Sequence, residues 1–363
     1  MLTPPACSGN EIAPHAPLSP NAASSRGGAT CWVLTDGKAG DEMQCLGVAQ
    51  AVAERMPVGE IVVRRVRPRP PYVWLMPRGG IDPREAPSRP GSPIAPPFPD
   101  ILIASGRRAV PYMRAVARAS KGRTFTVFLK DPRIGARAAD IIWVAEHDRL
   151  RGDNVLVTLT APHRVSQGLL EAARRGPPAA LAGLPHPRVA VLVGGNSRHH
   201  TFSDADVAAF LSHLEAVTRQ GVALMATVSR RTPAALTQGL RRIVSETNGY
   251  LWDGSSANSA DNPYIALLAL ADWVVVTADS SNMMGEAAAT GKPLLVFEPS
   301  GGHAKLRAFL GGLEKCGIAR PLRGRLEGDA YPPLDSTETV ADAIVRSFAS
   351  RRARPLADAG GTP

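Results

Sequence analysis

Hydrophobic and polar positions along the chain follow the pattern of a parallel α/β protein. Short runs rich in β-branched residues are separated by longer stretches with helical spacing, the order expected when each crossover helix covers a sheet. One set of runs predicts strands at residues 31–35, 60–66, 100–105, 124–129, 140–145 and 155–160. A second set predicts strands at residues 188–194, 222–228, 249–253, 272–278 and 293–299.

The two sets of strands predict two Rossmann-like domains, and a chain of 363 residues suits that number. Two domains imply a cleft between them. The predicted parts are an N-terminal domain at 30–173, a linker dense in Pro, Gly and Ala at 174–187, a C-terminal nucleotide-binding domain at 188–335 and a closing helix at 336–351. We expect a disordered tail at 1–29, for which a transit peptide is the alternative, and a frayed tail at 352–363.

Residues 67–99 interrupt the N-terminal domain with a segment rich in proline and arginine. Prolines at this density exclude a long regular element, so one interpretation is a surface loop. The other is a membrane-surface contact, in which apolar side chains enter the lipid interface and arginines meet anionic headgroups. The side chains concerned are Tyr72, Trp74, Leu75, Met76, Arg64, Arg65, Arg67 and Arg69.

The formal net charge of +10 favours phosphate-bearing partners: nucleotides, nucleic acid or an anionic membrane surface. Genomic base bias explains an arginine-rich composition equally well. Nucleic acid is disfavoured because no RNA-binding or zinc-finger motif is present and only 5% of residues are aromatic. The four cysteines show neither metal-ligand spacing nor a disulfide framework, and no apolar run is long enough to span a membrane. We therefore expect no metal, no tightly bound cofactor and a cytoplasmic protein, with peripheral membrane attachment as the alternative.

In an open parallel sheet, ligands lie beyond the carboxyl ends of the strands, so the turns after the strands are the candidate sites. In the N-terminal domain, "DGKAG" offers glycines that permit close approach of a ligand to backbone N–H groups at a helix start. "SGRR" and "KDPR" follow later strands and add cations. Capped and salt-bridged turns explain the same residues without a ligand. The candidate cleft residues are Asp36, Gly37, Lys38, Gly40, Ser105, Arg107, Arg108, Lys130, Asp131 and Arg133.

In the C-terminal domain, "GGNS" can wrap a phosphate, and "SRRTP" places a serine and paired arginines at a helix start, which suits a diphosphate. A solvated basic turn is the alternative. "TADSSNMMGEAAAT" carries Glu286 into the first turns of a helix, where a carboxylate can accept ribose hydroxyls, although close helix–sheet packing explains its small residues. The predicted nucleotide-binding residues are Gly195, Asn196, Ser197, Ser229, Arg230, Arg231, Thr232, Asp279, Ser280, Ser281, Asn282 and Glu286.

Six motifs in this order resemble those of bacterial members of the "elongated mitochondria" mitochondrial-fission family: "TDGKAGDEMQCLG", "SGRR", "KDPR", "GGNS", "SRRTP" and "TADSSNMMGEAAATGKP". The resemblance implies a glycosyltransferase-B-like fold, with two Rossmann-like domains facing a cleft and a C-terminal helix crossing back to the first. It also implies that Glu286 binds the ribose of a nucleotide-sugar, while Asn196, Ser229 and Arg230 face the diphosphate. The plant member is implied to recruit a dynamin-like fission protein to the mitochondrial surface.

Two functions follow as alternatives. The first is an inverting, metal-independent glycosyl transfer, in which Arg230 and Arg231 stabilise the leaving diphosphate and Asp36 deprotonates the acceptor. His147 and His163 are the other candidate bases. The second is a non-catalytic adaptor at a membrane surface, because the first loop lacks the glycine-and-histidine pattern of the peptidoglycan transferase relatives. A dehydrogenase is disfavoured, since no dinucleotide fingerprint follows either first strand.

Overall fold

The structure is a computed structural model that describes residues 28–254 and 262–353. These residues divide into two compact units. The N-terminal unit comprises residues 28–164 and 336–353, and the C-terminal unit comprises the described residues from 165 to 335. Apart from their two innermost residues, the predicted tails at 1–29 and 352–363 lie outside the described part of the chain.

The N-terminal unit contains a six-stranded parallel sheet of order β2-β1-β3-β4-β5-β6. Its register places Trp32 beside Leu102 and Val127 beside Ile141. The strands are β1 (Ala29–Thr35), β2 (Val58–Arg65), β3 (Ile101–Ala104), β4 (Phe125–Leu129), β5 (Ile141–Ala145) and β6 (Val155–Thr158). Each one matches a predicted strand to within two residues at either end.

Helices cover both faces of this sheet, because alternate strand side chains point to opposite faces. One face packs on α1 (Ala39–Ala53) and on α11 (Ser336–Ala353). The other packs on α3 (Ala109–Ala119), where Tyr112 is fully buried. Burial on both faces explains why the strands read as almost continuous apolar runs in the sequence.

The closing helix α11 belongs to the N-terminal unit, as predicted. The Arg55 guanidinium at the end of α1 forms ion pairs with Glu338 and, at 2.6 Å, with Asp342. Phe348 makes an edge-to-face contact with Phe125, with ring centroids 5.8 Å apart. The chain therefore returns to its first sheet after completing the second.

The proline-rich insertion is a packed segment with little regular structure. It contains the single-turn helix α2 (Tyr72–Leu75) and a 3-10 turn at Pro83–Glu85. Arg69 holds the segment through two hydrogen bonds to Asp82, at 2.9 and 3.0 Å. Met76 is 3% exposed and lies in the core, so the prediction that it enters a lipid interface is wrong.

The C-terminal unit contains a second six-stranded parallel sheet, of order β12-β11-β10-β7-β8-β9. Its register places Val275 beside Val191 and beside Leu295. The strands are β7 (Arg188–Val193), β8 (Ala223–Val228), β9 (Tyr250–Trp252), β10 (Trp273–Thr277), β11 (Leu294–Phe297) and β12 (Ala319–Pro321). The sequence missed β12, a three-residue edge strand with one alanine and one proline and no apolar run to reveal it.

Seven helices of the described residues accompany this sheet: α4 (Gln167–Arg175), α5 (Ala179–Ala182), α6 (Asp204–Thr218), α7 (Ala234–Glu246), α8 (Tyr264–Leu270), α9 (Ser281–Ala288) and α10 (Ala304–Lys315). Two of them, α4 and α5, lie at or near the predicted linker 174–187. Arg174 Nε donates to the Ala269 carbonyl at 2.9 Å, which ties this stretch to the C-terminal unit. The boundary between the units falls between Arg164 and Val165, before the predicted linker.

Cys31 and Cys45 are free and buried in the N-terminal unit, where burial raises the pKa of the Cys31 thiol to about 12. Among the described helices, none is long and apolar enough to cross a membrane.

Candidate functional site

The loop after β7 is fixed against the end of β10 by its backbone. Gly194 N–H donates to Thr277 Oγ1 at 2.9 Å, and Gly195 N–H donates to Asp279 Oδ2 at 2.9 Å. A Cβ on Gly194 would stand only 2.1 Å from Asp279 Oδ2. Glycine is therefore required here for close packing of the loop against the Asp279 side chain.

The turn after β8 reaches the same loop from the other side. Ser229 Oγ donates to the Gly194 carbonyl at 2.9 Å, and the Thr232 hydroxyl donates to the same oxygen. Thr232 does not cap α7, which begins after Pro233 without a side-chain cap. Both hydroxyls therefore join the turn after β8 to the loop after β7. The sequence alone could not show whether these hydroxyls bond to another turn or face a ligand.

The two arginines of this turn have different surroundings. Arg231 Nη1 donates to the Asn196 carbonyl at 3.1 Å, and its guanidinium lies 3.9 Å from the fully buried Asp279 carboxylate. Arg230 is exposed, and its side chain has no hydrogen bond or ion pair to any residue that the structure describes. Arg230 is therefore the cation of the turn that is available to an anion in solution.

The loop side chains of Asn196 and Ser197 act inside the protein. Asn196 Oδ1 accepts from Phe202 N–H at 2.8 Å, and Ser197 Oγ accepts from His200 N–H at 3.1 Å. Their side chains shape the loop, and the N–H groups of Asn196 and Ser197 donate to the carbonyls of Arg231 and His200, at 3.0 and 2.9 Å. The resemblance had assigned Asn196 to the diphosphate directly.

The third turn leads from β10 into α9. Ser280 caps this helix by accepting from Met283 N–H at 3.3 Å, and Ser281 and Asn282 are exposed in its first turn. Asp279 is fully buried, since its oxygens accept from Gly195 N–H and the Thr277 hydroxyl. Asp279 therefore organises the turns and does not present a carboxylate to solvent.

Glu286 lies one turn further along α9 and is partly buried. Its Oε2 accepts from the Tyr264 hydroxyl at 2.5 Å. Burial raises the pKa of Glu286, while this hydrogen bond opposes the shift. The hydrogen bond fixes the carboxylate, which retains further acceptor positions for ligand hydroxyls.

The predicted residues of the C-terminal unit are thus brought together at the carboxyl ends of three adjacent strands. In the sheet, β7 lies between β8 and β10. After β7 the chain first adds β8 and β9 on one side of β7, and then adds β10, β11 and β12 on the other side. Open α/β sheets bind ligands where the strand order reverses in this way.

The N-terminal unit has a corresponding point between β1 and β3. The Asp36 side chain is 1% exposed, and neither carboxylate oxygen has a hydrogen bond among the described residues. The nearest cations are Lys38 at 3.6 Å and Arg108 at 3.8 Å. Gly106, with φ 93°, stands beside it: a Cβ there would lie 3.4 Å from Asp36 Oδ1.

Several candidates around Asp36 have structural partners. Ser105 is buried, and its hydroxyl donates to the Leu129 carbonyl at 2.8 Å. Lys130 pairs with Asp41, a residue of α1 outside the predicted set. Asp131 Oδ1 accepts from Arg133 N–H at 2.7 Å, which makes "KDPR" a carboxylate-stabilised turn. Gly37 and Arg107 are exposed, and Lys38 and Gly40 frame the start of α1.

The alternative base His163 lies beneath α11. Its backbone N–H donates to Thr337 Oγ1 at 2.9 Å, its carbonyl accepts from the same hydroxyl, and its ring is buried. This placement makes His163 part of the packing of the closing helix. Over residues 28–254 and 262–353, no group of three or more His, Cys, Asp or Glu residues could hold a metal ion.

Two parallel α/β units with these strand orders define a glycosyltransferase-B-like fold, as the sequence predicted. A solved structure with this architecture is the UDP-GlcNAc 2-epimerase of Neisseria meningitidis bound to UDP-GlcNAc. It matches with a TM-score of 0.50 and 11% identity, over 88% of this chain and 100% of that one.

The family model described as Mitochondrial fission ELM1 matches residues 39–348, so the chain belongs to the mitochondrial fission ELM1 family. Mitochondrial fission protein ELM1 of Arabidopsis thaliana is 29% identical over 282 residues, covering 70% of this chain and 65% of that protein. Uncharacterized protein RP120 of Rickettsia prowazekii (strain Madrid E) is 33% identical over 168 residues, covering 44% and 47%. The chain thus spans less than two thirds of the length of either relative.

Proposed function

We propose that the C-terminal unit binds the nucleoside diphosphate part of a nucleotide-sugar. The observation that carries this proposal is the joining of three polar turns at the reversal of strand order. The Gly194 carbonyl of the β7 turn accepts from the Ser229 and Thr232 hydroxyls of the β8 turn, and the Asp279 carboxylate of the β10 turn accepts from Gly195 N–H. The N–H groups of Gly195, Asn196 and Ser197 already donate within the protein. An anion would therefore meet the Arg230 guanidinium and the start of α9, where the helix dipole favours negative charge.

Charge at the site supports a diphosphate bound without a metal. Arg230 is exposed and unpaired within the described residues, and Arg231 is about half exposed beside it. Two guanidinium groups can neutralise a diphosphate in the place of a divalent cation, because they donate several hydrogen bonds in a fixed geometry. On the same unit, Glu286 is the proposed acceptor for ribose hydroxyls.

Titration calorimetry of the full chain with UDP tests this proposal. The UDP-GlcNAc bound to the Neisseria meningitidis epimerase makes UDP the first nucleotide to try. Loss of a hydrogen bond to a charged group costs about 1.5–3 kcal/mol, so R230A is expected to bind UDP about 10- to 150-fold more weakly.

The matched control is R219A, which removes the same charge from an exposed arginine at the end of α6. R219A is expected to bind UDP as the wild type does. Equal affinities of R230A and the wild type would remove Arg230 from the site. An equal loss in both variants would reduce its role to general electrostatic attraction.

The reaction that we propose for this site is an inverting glycosyl transfer. The acceptor oxygen forms a bond to the anomeric carbon as the bond from that carbon to the diphosphate oxygen breaks. The acceptor proton passes to a carboxylate, and the nucleoside diphosphate leaves with the bonding electron pair. Asp36 is the proposed base, since its oxygens are buried and accept no hydrogen bond among the described residues.

Release of UDP from UDP-GlcNAc, with water as the acceptor, tests the catalytic part. D36N is expected to lower the rate of release at least tenfold while leaving UDP affinity unchanged. If the wild type binds UDP-GlcNAc but releases no UDP beyond the rate in buffer, the hydrolytic form of the proposal fails and the binding form stands.

A second candidate function, a membrane-surface adaptor, is favoured by the insertion. Trp74 is 73% exposed and the adjacent Leu75 is 59% exposed, on the single turn α2. Flotation with phosphatidylserine vesicles is expected to fail for W74S/L75S and to persist for L169S, which alters an exposed leucine of the other unit. No flotation of the wild type would contradict this function.

The arginines predicted to meet lipid headgroups offer less support. Arg65 is paired with Glu42, Arg69 with Asp82, and Arg64 stacks on Trp32, whose ring centroid is 4.6 Å away. An adaptor would therefore depend on apolar insertion more than on charge. The dynamin-like partner implied by the family belongs to this second proposal, and a pull-down with the wild type and W74S/L75S tests it.

A further inference from the structure

A second glycine-rich loop follows β11 and takes no part in the proposed nucleotide site. Gly301 and Gly302 have φ of 107° and 96°, a region that L side chains rarely adopt. The loop is held to the segment after Ser197 by an antiparallel bridge between His200 and Gly301. Gly302 N–H also donates to the His199 carbonyl at 2.6 Å. The loop ends at His303, the N-cap of the twelve-residue helix α10.

His200 is the buried polar side chain at this loop. It is 6% exposed, and its ring nitrogens make no hydrogen bond to the residues that the structure describes. Its Nε2 lies 3.4 Å from the position that a Cβ on Gly302 would occupy. Arg307 Nη1, from the first turn of α10, lies 3.5 Å from the same position. Two nitrogen groups therefore border a space that exists because residue 302 has no side chain.

Arg307 and the α10 dipole favour an anion at this point, whereas the Asp279 and Glu298 carboxylates, which act on the His200 ring, oppose one. Arg307 carries a full positive charge, and the positive end of the α10 dipole lies at the same loop. Burial lowers the pKa of His200, Asp279 and Glu298 oppose that shift, and His199 adds to it. A neutral His200 still carries one N–H donor, and a bound anion would both accept that hydrogen bond and favour the protonated ring.

We propose that the space above Gly302, bordered by His200 Nε2, Arg307 Nη1 and the N-terminus of α10, binds a phosphate or carboxylate group. This site adjoins the turns that hold the proposed diphosphate, because His200 N–H donates to Ser197 Oγ at 3.1 Å and the Asp279 carboxylate acts electrostatically on the His200 ring. A free small anion and an acidic group of a larger ligand share the required chemistry.

Histidine NMR of the full chain, titrated with sodium phosphate at constant ionic strength, tests this site. The Cε1–H signal of His200 is assigned by its absence in H200Q. In the wild type, this signal is expected to shift saturably, toward the position of a protonated ring. In R307Q, which alters an exposed side chain, the phosphate concentration for half-saturation is expected to rise at least tenfold.

G302A and G311A form the matched pair. A methyl group on Gly302 fills the proposed site at a strained φ, whereas a methyl group on Gly311, within α10, meets nothing within 4 Å. We expect G302A to lose the phosphate-dependent shift and G311A to retain it. The site is refuted if phosphate leaves the His200 signal unmoved, or if R307Q and the wild type titrate identically.

Because the probe is inorganic phosphate, this test does not depend on nucleotide binding. A second arm, which rests on the proposed function, compares UDP-glucuronic acid with UDP-glucose. A preference for UDP-glucuronic acid that R307Q abolishes would assign the site to an acidic group of the nucleotide-sugar. Equal affinities for the two ligands, with phosphate still shifting His200, would assign it to a free anion.

Discussion

The proposed contact between Glu286 and a ribose can be tested by calorimetry, through a substitution in the protein combined with a matching change in the ligand. The perturbation is E286Q, which keeps the size of the side chain and removes its negative charge. In the structure, the carboxylate is held by Tyr264 at 2.5 Å on the helix that follows the β10 turn. Its direction is therefore set before any ligand arrives, and binding need not pay for ordering it.

The expected magnitude follows from the acceptor positions that remain. An ionised carboxylate has about four acceptor sites, and Tyr264 uses one of them. A hydrogen bond from a ribose hydroxyl to the charged group contributes about 1.5–3 kcal/mol, which corresponds to about 10- to 150-fold in affinity. E286Q is therefore expected to weaken UDP binding by at least tenfold.

The assay is a cycle between ligand and protein, measured by calorimetry. UDP, 2′-deoxy-UDP and 3′-deoxy-UDP are titrated into the wild type and into E286Q. If Glu286 binds the ribose, the wild type should bind at least one of the two deoxy ligands more weakly than it binds UDP. E286Q should lose less affinity for that ligand than the wild type does, because a neutral amide oxygen accepts the ribose hydrogen bond more weakly than a charged carboxylate.

Two results would refute the reasoning. In the first, E286Q binds UDP as tightly as the wild type does. In the second, E286Q binds UDP more weakly, but the affinity lost on going from UDP to a deoxy ligand is the same in E286Q as in the wild type. That result would show that Glu286 acts on the fold of α9 and not on the ribose.

Three further predictions concern stability. G194A should lower the free energy of unfolding by about 2–4 kcal/mol in urea titrations, because the new Cβ would stand 2.1 Å from Asp279 Oδ2. The control G311A should stay within about 1 kcal/mol of the wild type. Identical unfolding curves for G194A and the wild type would contradict the close packing at Gly194. Burial raises the pKa of Glu286, so the folded state holds that proton more tightly than the unfolded state, and this stability, complete below about pH 4.5, is lost as the pH rises through the folded pKa. In the wild type, the free energy of unfolding measured from pH 4 to 8 should show this loss of stability. In Y264F the loss should extend to higher pH, because the hydrogen bond that opposes the pKa shift is absent, and in E286Q it should not occur. D36N should be within about 1 kcal/mol of the wild type, because the ion-pair partners of Asp36 are substantially exposed and can be hydrated; a larger loss would assign Asp36 to the fold.

Much of the fold was predictable because the inner strands of both sheets, such as β4 and β7, are buried on both faces. Such strands appear in the sequence as apolar runs and can be recognised without knowing where the helices between them pack. The edge strand β12 lacks that signal, since two of its three residues are exposed. The position of the unit boundary was also hidden, because α4 and α5 are tied to the C-terminal unit by side-chain contacts that composition does not encode.

The candidate site was predictable in location but less so in the roles of its residues. Turns after parallel strands meet at one edge of the sheet, so "GGNS", "SRRTP" and "TADSSN" had to lie together. Whether a polar group faces a ligand or another turn depends on geometry. Ser229 and Asp279 hold the turns to each other, whereas Arg230 has no hydrogen bond or ion pair to the described residues and Glu286 is bonded to Tyr264.

Little in the amino-acid sequence distinguished His200 from the other histidines. A lone histidine in a polar loop is more often structural than functional, and the partner loop "SGGH" lies about a hundred residues away. Only the bridge between His200 and Gly301 brings the imidazole to the start of α10. The adjacent glycines with positive φ are the one local signal that could have indicated an unusual loop.

The most direct test of the central claim is calorimetric titration of the full wild-type chain with UDP, ADP, GDP, CDP and TDP in metal-free buffer. We expect saturable binding of at least one of these nucleoside diphosphates at one site per chain, weakened at least tenfold by R230A and unchanged by R219A. Absence of binding by all five, for a protein that unfolds cooperatively in the same buffer, would contradict it.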